Sequence, residues 1–178
     1  TYTLKEENDY QIDLDEIRAK VTPRTKALVL ITPSNPTGGV LAEDVLKELA
    51  EIAVKNDIMI ISDEVYERLL YDDAKHISIA SLPGMKERTI TLNGFSKAYS
   101  MTGWRLGWAM GPKELMRHIC KIHQFGIMSA PTTAQFAGIE AIRTGEDDIE
   151  RMIPTLKENK GEPFGSYKKL TMDDAREI

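Results

Sequence analysis

The sequence predicts an α/β protein, a three-layer sandwich in which a mainly parallel mixed sheet lies between layers of helices. Two observations support this fold class. Apolar runs of strand length alternate along the chain with segments of helical periodicity, which is typical of parallel sheets buried on both faces. The 178 residues, 42% of them hydrophobic and 29% charged, are enough for a domain with a sizeable core.

The first half of the pattern is a strand, a loop and a helix. Residues 26–32, KALVLIT, read as a buried strand, and the two prolines and two glycines of residues 33–39 exclude regular structure after it. A helix is predicted from about Ala42, because apolar residues follow at helical spacing. Before the strand, Ile12, Leu14 and Ile17 indicate a short helix that packs on a larger body.

Three further strands are predicted. Residues 57–62 form the second, which completes a right-handed parallel crossover unit with the first strand and its helix. Residues 89–92 form the third and residues 105–111 the fourth. The fourth strand is predicted to be antiparallel, because its link from the third is too short for a full crossover.

Two helices are predicted after the strands. The first begins at Pro112 and is expected to turn Leu115, Ile119 and Ile122 inward. Cys120 is expected to share that buried face, since free cysteine is usually buried. As the only cysteine it cannot form a disulfide within the chain, which favours a reducing compartment and a cytoplasmic protein. The second helix covers residues 131–144 and ends at Gly145.

The segment after residue 158 differs from the rest. It is polar, contains a proline and two glycines, and regains a helical pattern only over residues 171–178, where Thr171 is a possible cap. We therefore expect residues 1–158 to be part of a large domain, and residues 159–178 to be a fragment of a smaller domain or an irregular tail.

The net charge and the hydropathy of the sequence argue against two classes of partner, nucleic acids and membranes. The net charge of −5 argues against non-specific nucleic-acid binding, which needs a basic surface. The longest apolar run is too short to span a bilayer. Neither a nucleic acid nor a membrane is an expected partner, and no metal is expected.

Polar side chains cluster at the carboxyl ends of the predicted strands or in the loops after them, where open α/β sheets bind ligands. They are Asn35, Asp63, Tyr66, Ser96, Lys97 and Arg105. Each of these residues alone has an ordinary explanation. Asn35 could form a turn and Asp63 could cap a helix, while Arg105 could form a salt bridge and Lys97 could be a solvated surface group. Together they supply an amine, a carboxylate, a phenol, an amide and a guanidinium.

Three segments carry a family resemblance. GFSKAYSMTGWRLG, residues 94–107, resembles the lysine-attachment signature of the class I aminotransferases. SNPTG, residues 34–38, resembles their asparagine loop, and SDEVY, residues 62–66, resembles their pyridine-binding strand end. The motifs stand in the order of the family, and the resemblance extends to about residue 158. It implies the large domain of a fold-type I transferase that depends on pyridoxal 5'-phosphate (PLP).

The resemblance assigns the central chemistry to two residues. Lys97 is implied to form a Schiff base with the PLP aldehyde and, once freed by the incoming amino acid, to transfer a proton as general acid and base. Asp63 is implied to pair with the pyridine nitrogen and keep it protonated, so that the ring accepts electrons from the substrate α-carbon.

The remaining cofactor contacts are implied in the same way. Asn35 and Tyr66 would hydrogen-bond the phenolic oxygen, and one helical turn from Asp63 would bring Tyr66 to the same side. Arg105 would hold the phosphate through a bidentate contact. Many relatives have a serine three residues before the lysine, where this chain has Gly94. The Ser96 hydroxyl or backbone amides would replace it.

The implied activity is transamination between an amino acid and a 2-oxo acid in a homodimer that shares its active sites across the subunit boundary. The family's substrate-binding arginine has no convincing counterpart, since Arg176 stands in a different context. The fragment alone is therefore expected to be inactive. Three alternatives remain open: a carbon–sulfur β-lyase, an aminocyclopropane-carboxylate synthase, and a non-catalytic effector-binding module of a regulator.

Overall fold

A four-stranded mixed sheet organises the protein. A computed structural model describes residues 1–158 of the chain, so the expectations for residues 159–178, including the Thr171 cap, lie outside the described residues. Five α-helices and four strands follow one another in this part of the chain: α1 Leu14–Lys20, β1 Ala27–Ile31, α2 Glu43–Lys55, β2 Met59–Asp63, β3 Thr89–Gly94, β4 Gly107–Met110, α3 Lys113–Gly126, α4 Thr132–Thr144 and α5 Glu146–Glu158. Short 3-10 turns occur at Glu6–Asn8, Ile79–Ser81 and Thr102–Trp104.

The strands lie side by side in sequence order. β1 pairs with β2 and β2 with β3 in parallel, while β3 pairs with β4 in antiparallel orientation, with Gly94 opposite Gly107. The predicted α/β class with a mainly parallel mixed sheet is confirmed. The predicted antiparallel direction of the fourth strand is also confirmed, and its cause is the twelve-residue link between Gly94 and Gly107.

One face of the sheet carries the core. Leu30 and Ile60 on the strands and Leu46 and Leu49 on α2 are fully buried, and each such side chain contributes about 1.5–3 kcal/mol when it leaves water. The predicted short helix before β1 is α1, whose Ile17 joins the same core. On the opposite face of β1, Val29 is 51% and Ile31 41% exposed.

Two details of the sequence prediction were wrong. Tyr66 was placed one helical turn after Asp63, but residues 65–68 form a hydrogen-bonded turn rather than a helix. Arg105 was placed in the fourth strand, but it is the residue that ends the 3-10 turn Thr102–Trp104. Its φ of 53° is left-handed and incompatible with an extended strand, so β4 begins at Gly107.

The burial predicted for α3 was wrong for Ile119, Ile122 and Cys120, whereas Leu115 is half-buried. The helix exists from Lys113, but Ile122 is 74% exposed and Ile119 also lies on the surface. Cys120, which was expected to be buried beside them, is exposed. The reason is that no element within residues 1–158 covers the apolar side of this helix, so its periodicity correctly marks a face that stays open here.

The helices α4 and α5 complete the described chain. α4 ends at Gly145, as predicted. A Cβ added to its Gly138 would lie 2.5 Å from Leu106 and 3.0 Å from the Phe95 ring, so glycine allows α4 to approach these side chains closely. Within residues 1–158, no helix has both the length and the apolar character needed to cross a membrane.

Candidate active site

The carboxyl ends of the three parallel strands meet at one edge of the sheet. Ile31 at the end of β1 is opposite Asp63 at the end of β2, and Asp63 is opposite Leu92 near the end of β3. The ladder continues one step further, because the Thr32 amide donates to Asp63 O at 3.1 Å and the Glu64 amide to Leu92 O at 2.9 Å. Three loops therefore start from the same edge.

The loop after β1 presents Asn35. Two backbone hydrogen bonds close the loop, from Gly38 to Ser34 O at 2.8 Å and from Ser34 to Gly39 O at 2.9 Å. Gly38 has a φ of 74°, which favours glycine at that position. The Asn35 side chain is directed across to the next loop, where its Nδ2 donates to the Tyr66 hydroxyl at 3.5 Å. Asn35 thus both lies in a turn and reaches a second candidate residue.

The loop after β3 carries Lys97 to the same place. Its Nζ lies 5.3 Å from the centroid of the Tyr66 ring, within the range of a cation–π contact. Phe95, two residues before the lysine, anchors the loop in the protein interior. It is buried, and its ring packs on the rings of Tyr99 and Trp108 with centroid distances of 5.1 and 4.9 Å. The lysine therefore starts from an anchored backbone, while its half-buried side chain faces the phenol.

Asp63, a half-buried residue, stands at the end of β2. One oxygen, Oδ1, accepts a hydrogen bond from the Val65 amide at 3.2 Å. The prediction of a capping role is thus correct in substance, although the residues that it caps form a turn. A carboxylate has about four acceptor positions, so this single bond leaves capacity for a ligand.

The turn that carries Tyr66 is tied to the last described helix. Arg68 forms an ion pair with Glu146 at the start of α5. The hydrogen bond to Glu146 raises the pKa of the Arg68 guanidinium above its ordinary value. The pair is partly exposed, so it contributes little to stability, but it links the site turn to α5.

Arg105 and Ser96 belong to the loop between β3 and β4. Arg105 Nη1 donates to Thr102 O at 2.7 Å, and the Thr102 hydroxyl donates to Ser96 O at 2.9 Å. Thr102 therefore connects the two predicted phosphate contacts. Arg105 is exposed, and among residues 1–158 no carboxylate forms a salt bridge with it, so the salt-bridge explanation of this residue finds no support.

The structure brings Asn35, Tyr66 and Lys97 together. Asp63 ends β2 at the same edge, and Arg105 lies in the β3–β4 loop that also carries Lys97. The donor chemistry suits PLP: an amine for the aldehyde, a phenol and an amide for the phenolic oxygen, and a free carboxylate position for the pyridinium. Fold and geometry together describe an α/β protein whose candidate ligand site, with Lys97 among its residues, lies at the carboxyl edge of the sheet.

Comparison of the chain with known proteins identifies its family. Residues 1–163 match the family of class I and II aminotransferases, and the chain belongs to it. The putative aminotransferase YugH of Bacillus subtilis is 50% identical over 145 residues, which is 82% of this chain and 37% of that protein. The aspartate aminotransferase of Pyrococcus abyssi is 49% identical over 138 residues, or 78% of this chain and 36% of that enzyme.

A solved structure supports the same conclusion for the fold. The aromatic aminotransferase of Pyrococcus horikoshii superposes with a TM-score of 0.81 at 41% identity, covering 87% of this chain and 41% of that one. The fold class is therefore that of the fold-type I transferases, and class I family members depend on PLP. The chain spans about two-fifths of the length of these relatives.

Proposed function

We propose that the protein is a PLP-dependent aminotransferase that moves an amino group from an amino acid to a 2-oxo acid through a Schiff base on Lys97. The convergence of Asn35, Tyr66 and Lys97 at the carboxyl edge of the sheet carries this proposal. Family membership supports it independently, because the relatives described above are named as aminotransferases. Residues 1–158 then form part of the PLP-binding large domain.

The cofactor supplies an electron-withdrawing ring that stabilises negative charge at the substrate α-carbon. Lys97 binds the cofactor covalently and, when released, carries a proton to and from the reacting carbon. Asp63 holds a proton on the pyridine nitrogen. Its position supports this role, because the residue is half-buried and its carboxylate has one backbone hydrogen bond, which leaves it able to accept another.

Two further groups orient the cofactor. Asn35 and Tyr66, already within hydrogen-bond distance of each other, donate to its phenolic oxygen. Arg105 holds the phosphate, for which the guanidinium has donors beyond the one used on Thr102. Ser96 assists from the same loop, in place of the serine that many relatives have where this chain has Gly94.

Covalent labelling tests the cofactor assignment. The full-length protein, loaded with PLP, is reduced with borohydride and digested, and we expect the label on the peptide that contains Lys97. A transaminase assay with aspartate and with aromatic amino acids then tests the reaction. Turnover that requires a 2-oxo acid supports transamination. Release of product without a 2-oxo acid indicates a lyase or synthase, and labelled protein without any turnover indicates an effector-binding module.

We also propose a homodimer with its active sites at the subunit boundary. Large apolar side chains are exposed in the described chain: Trp104, in the loop that carries Lys97, is 48% accessible, Phe125 86% and Met128 79%. Aromatic residues and methionine of this kind are enriched at interfaces. Sedimentation of the full-length protein at low micromolar concentration should give a dimer, and a fully active monomer would rule this out.

The cysteine content bears on the cellular compartment of the protein. The chain contains a single cysteine, Cys120, which the structure leaves exposed. An exposed free thiol is compatible with a reducing environment, and we propose a cytoplasmic enzyme. Fractionation of the source cells with activity and antibody detection tests this, and recovery in an oxidising compartment would contradict it.

A further inference from the structure

A second strand-end carboxylate lies directly behind the candidate site. Glu64 follows Asp63 but points to the opposite side of the sheet, as expected from strand alternation, and is 1% exposed. Its Oε1 accepts from Ser62 Oγ at 2.9 Å and Ser78 Oγ at 2.8 Å. Its Oε2 lies 2.9 Å from His76 Nε2. Burying a carboxylate is costly unless it is hydrogen-bonded, and this one has three side-chain partners.

The partners of Glu64 come from a remote segment. His76 and Ser78 lead into the 3-10 turn at Ile79–Ser81, so a single carboxylate fastens this segment to the end of β2. The Nδ1 atom of His76 is buried and has no partner among the described residues. The tautomer that keeps the proton on Nε2 suits this environment, because an orphaned N–H would cost more than an unused lone pair.

Glu67, three residues after Glu64, also binds a side chain from a distant part of the chain. Glu67 Oε1 accepts from Asn93 Nδ2 at 2.7 Å, and Asn93 Oδ1 accepts from the Gly94 amide at 2.7 Å. This fastens the turn 65–68 to the end of β3, just before the lysine loop. Glu64 and Glu67 therefore bind neighbouring parts of the fold, whereas the residues before them, Asp63 and Tyr66, belong to the candidate site.

We propose that Glu64 and His76 are positioning residues for the PLP site, an inference that rests on the proposed function. Their bond fixes the backbone where β2 ends, and so sets the direction of the Asp63 carboxylate and the start of the turn that carries Tyr66. Small displacements of such groups have large effects, since a shift of about 1 Å can cost roughly a hundredfold in rate.

A cation is the competing explanation of the same cluster. One ligand atom each from Glu64, Glu67 and His76 lie within 4.8 Å of one another, and these types bind divalent metals. Glu64 already has three side-chain partners, Ser62, Ser78 and His76, and Glu67 Oε1 accepts from Asn93. Because the buried Glu64 carboxylate is occupied on both oxygens, the geometry favours a hydrogen-bonded brace.

The test compares three variants of the full-length protein. Glu64→Gln preserves shape but replaces one acceptor oxygen with an N–H₂ donor, so it can no longer accept from all three partners of the carboxylate. Ser78→Ala removes one donor with little risk to folding. Leu49→Ala is the control, because Leu49 is fully buried away from the site. For each we would measure the Tm of the apoprotein, the Kd for PLP and the pH midpoint of the absorption band of the bound cofactor.

We expect Glu64→Gln to weaken PLP binding roughly tenfold and to move the pH midpoint, since both depend on Asp63 geometry, and Ser78→Ala to do so to a smaller degree. Leu49→Ala should lower Tm alone. Both site variants with a wild-type Kd and midpoint would overturn the proposal, as would EDTA treatment that reproduces the Glu64→Gln effect in the unmodified protein. Failure of the unmodified protein to bind PLP would instead refute the proposed function.

Discussion

The hydroxyl of Tyr66 can be tested without disturbing its ring. Tyr66→Phe deletes only the group that approaches Asn35 Nδ2 and leaves the ring that faces Lys97 Nζ at 5.3 Å. The Asn35 bond is 3.5 Å long and exposed, at the limit of a hydrogen bond, so its loss should change the free energy of unfolding by less than about 0.5 kcal/mol.

The effect on the cofactor should be much larger. A hydrogen bond to a charged group contributes about 1.5–3 kcal/mol, and the phenolic oxygen of PLP carries that charge. Losing one such bond corresponds to a Kd that rises roughly 10- to 150-fold. The cation–π contact, about 0.5–1 kcal/mol, stays in place because the phenylalanine ring replaces the phenol ring.

Titration of the apo full-length protein with PLP, followed by absorbance, measures this change. Tyr71→Phe is the matched control, since Tyr71 lines the same cavity as Asn35 and Tyr66 but has no assigned role. We expect the control to bind as the unmodified protein does. If Tyr66→Phe binds within twofold of the unmodified protein, or if the control loses as much affinity, the hydroxyl does not contact the cofactor.

Other substitutions probe separate parts of the argument. Lys97→Arg should abolish borohydride labelling, and a label on any other lysine would contradict its role. Asp63→Ala should reduce kcat by about a hundredfold or more, as loss of an electrostatic partner typically does. It should lower the free energy of unfolding, measured in urea, by only about 1 kcal/mol. Leu46→Ala should do the reverse and cost about 2–5 kcal/mol of stability, because Leu46 is fully buried. Burial raises the pKa of Tyr2 above its ordinary value, so stability present below about pH 10 should be lost as pH rises through the folded-state pKa; Tyr2→Phe should flatten that alkaline decline in an unfolding series.

Much of the framework could be predicted because it depends on local sequence. The parallel direction of β1 and β2 and the common edge follow from apolar runs and crossover rules, and the direction of β4 follows from a short link. The turn at residues 65–68 could not be predicted in this way. There the Glu67 amide bonds to Glu64 O at 2.9 Å while the Glu67 side chain is held by Asn93, a residue 26 positions away. Periodicity has no information about such a partner.

Helix α3 shows a different limit of sequence reasoning. Amphipathic spacing identified the apolar side of the helix but could not identify what covers it. Within residues 1–158 that side is open, with Ile122 and Phe125 exposed. Burial of Cys120 was inferred from the same side, so it failed for the same reason. A face can thus be predicted from one segment, whereas its burial depends on a second segment.

The two neighbouring acids at the end of β2 show what separates a ligand site from a scaffold. In the sequence, Asp63 and Glu64 are equivalent strand-end carboxylates. Strand alternation puts Glu64 with Ser62 on the covered side, where three side-chain groups occupy most of its acceptor positions. Asp63 shares the other side with Ile31 and receives a single backbone hydrogen bond. Unused acceptor capacity therefore supports the proposal that Asp63 binds the ligand while Glu64 holds the framework, a distinction that depends on contacts with residues as distant as Ser78.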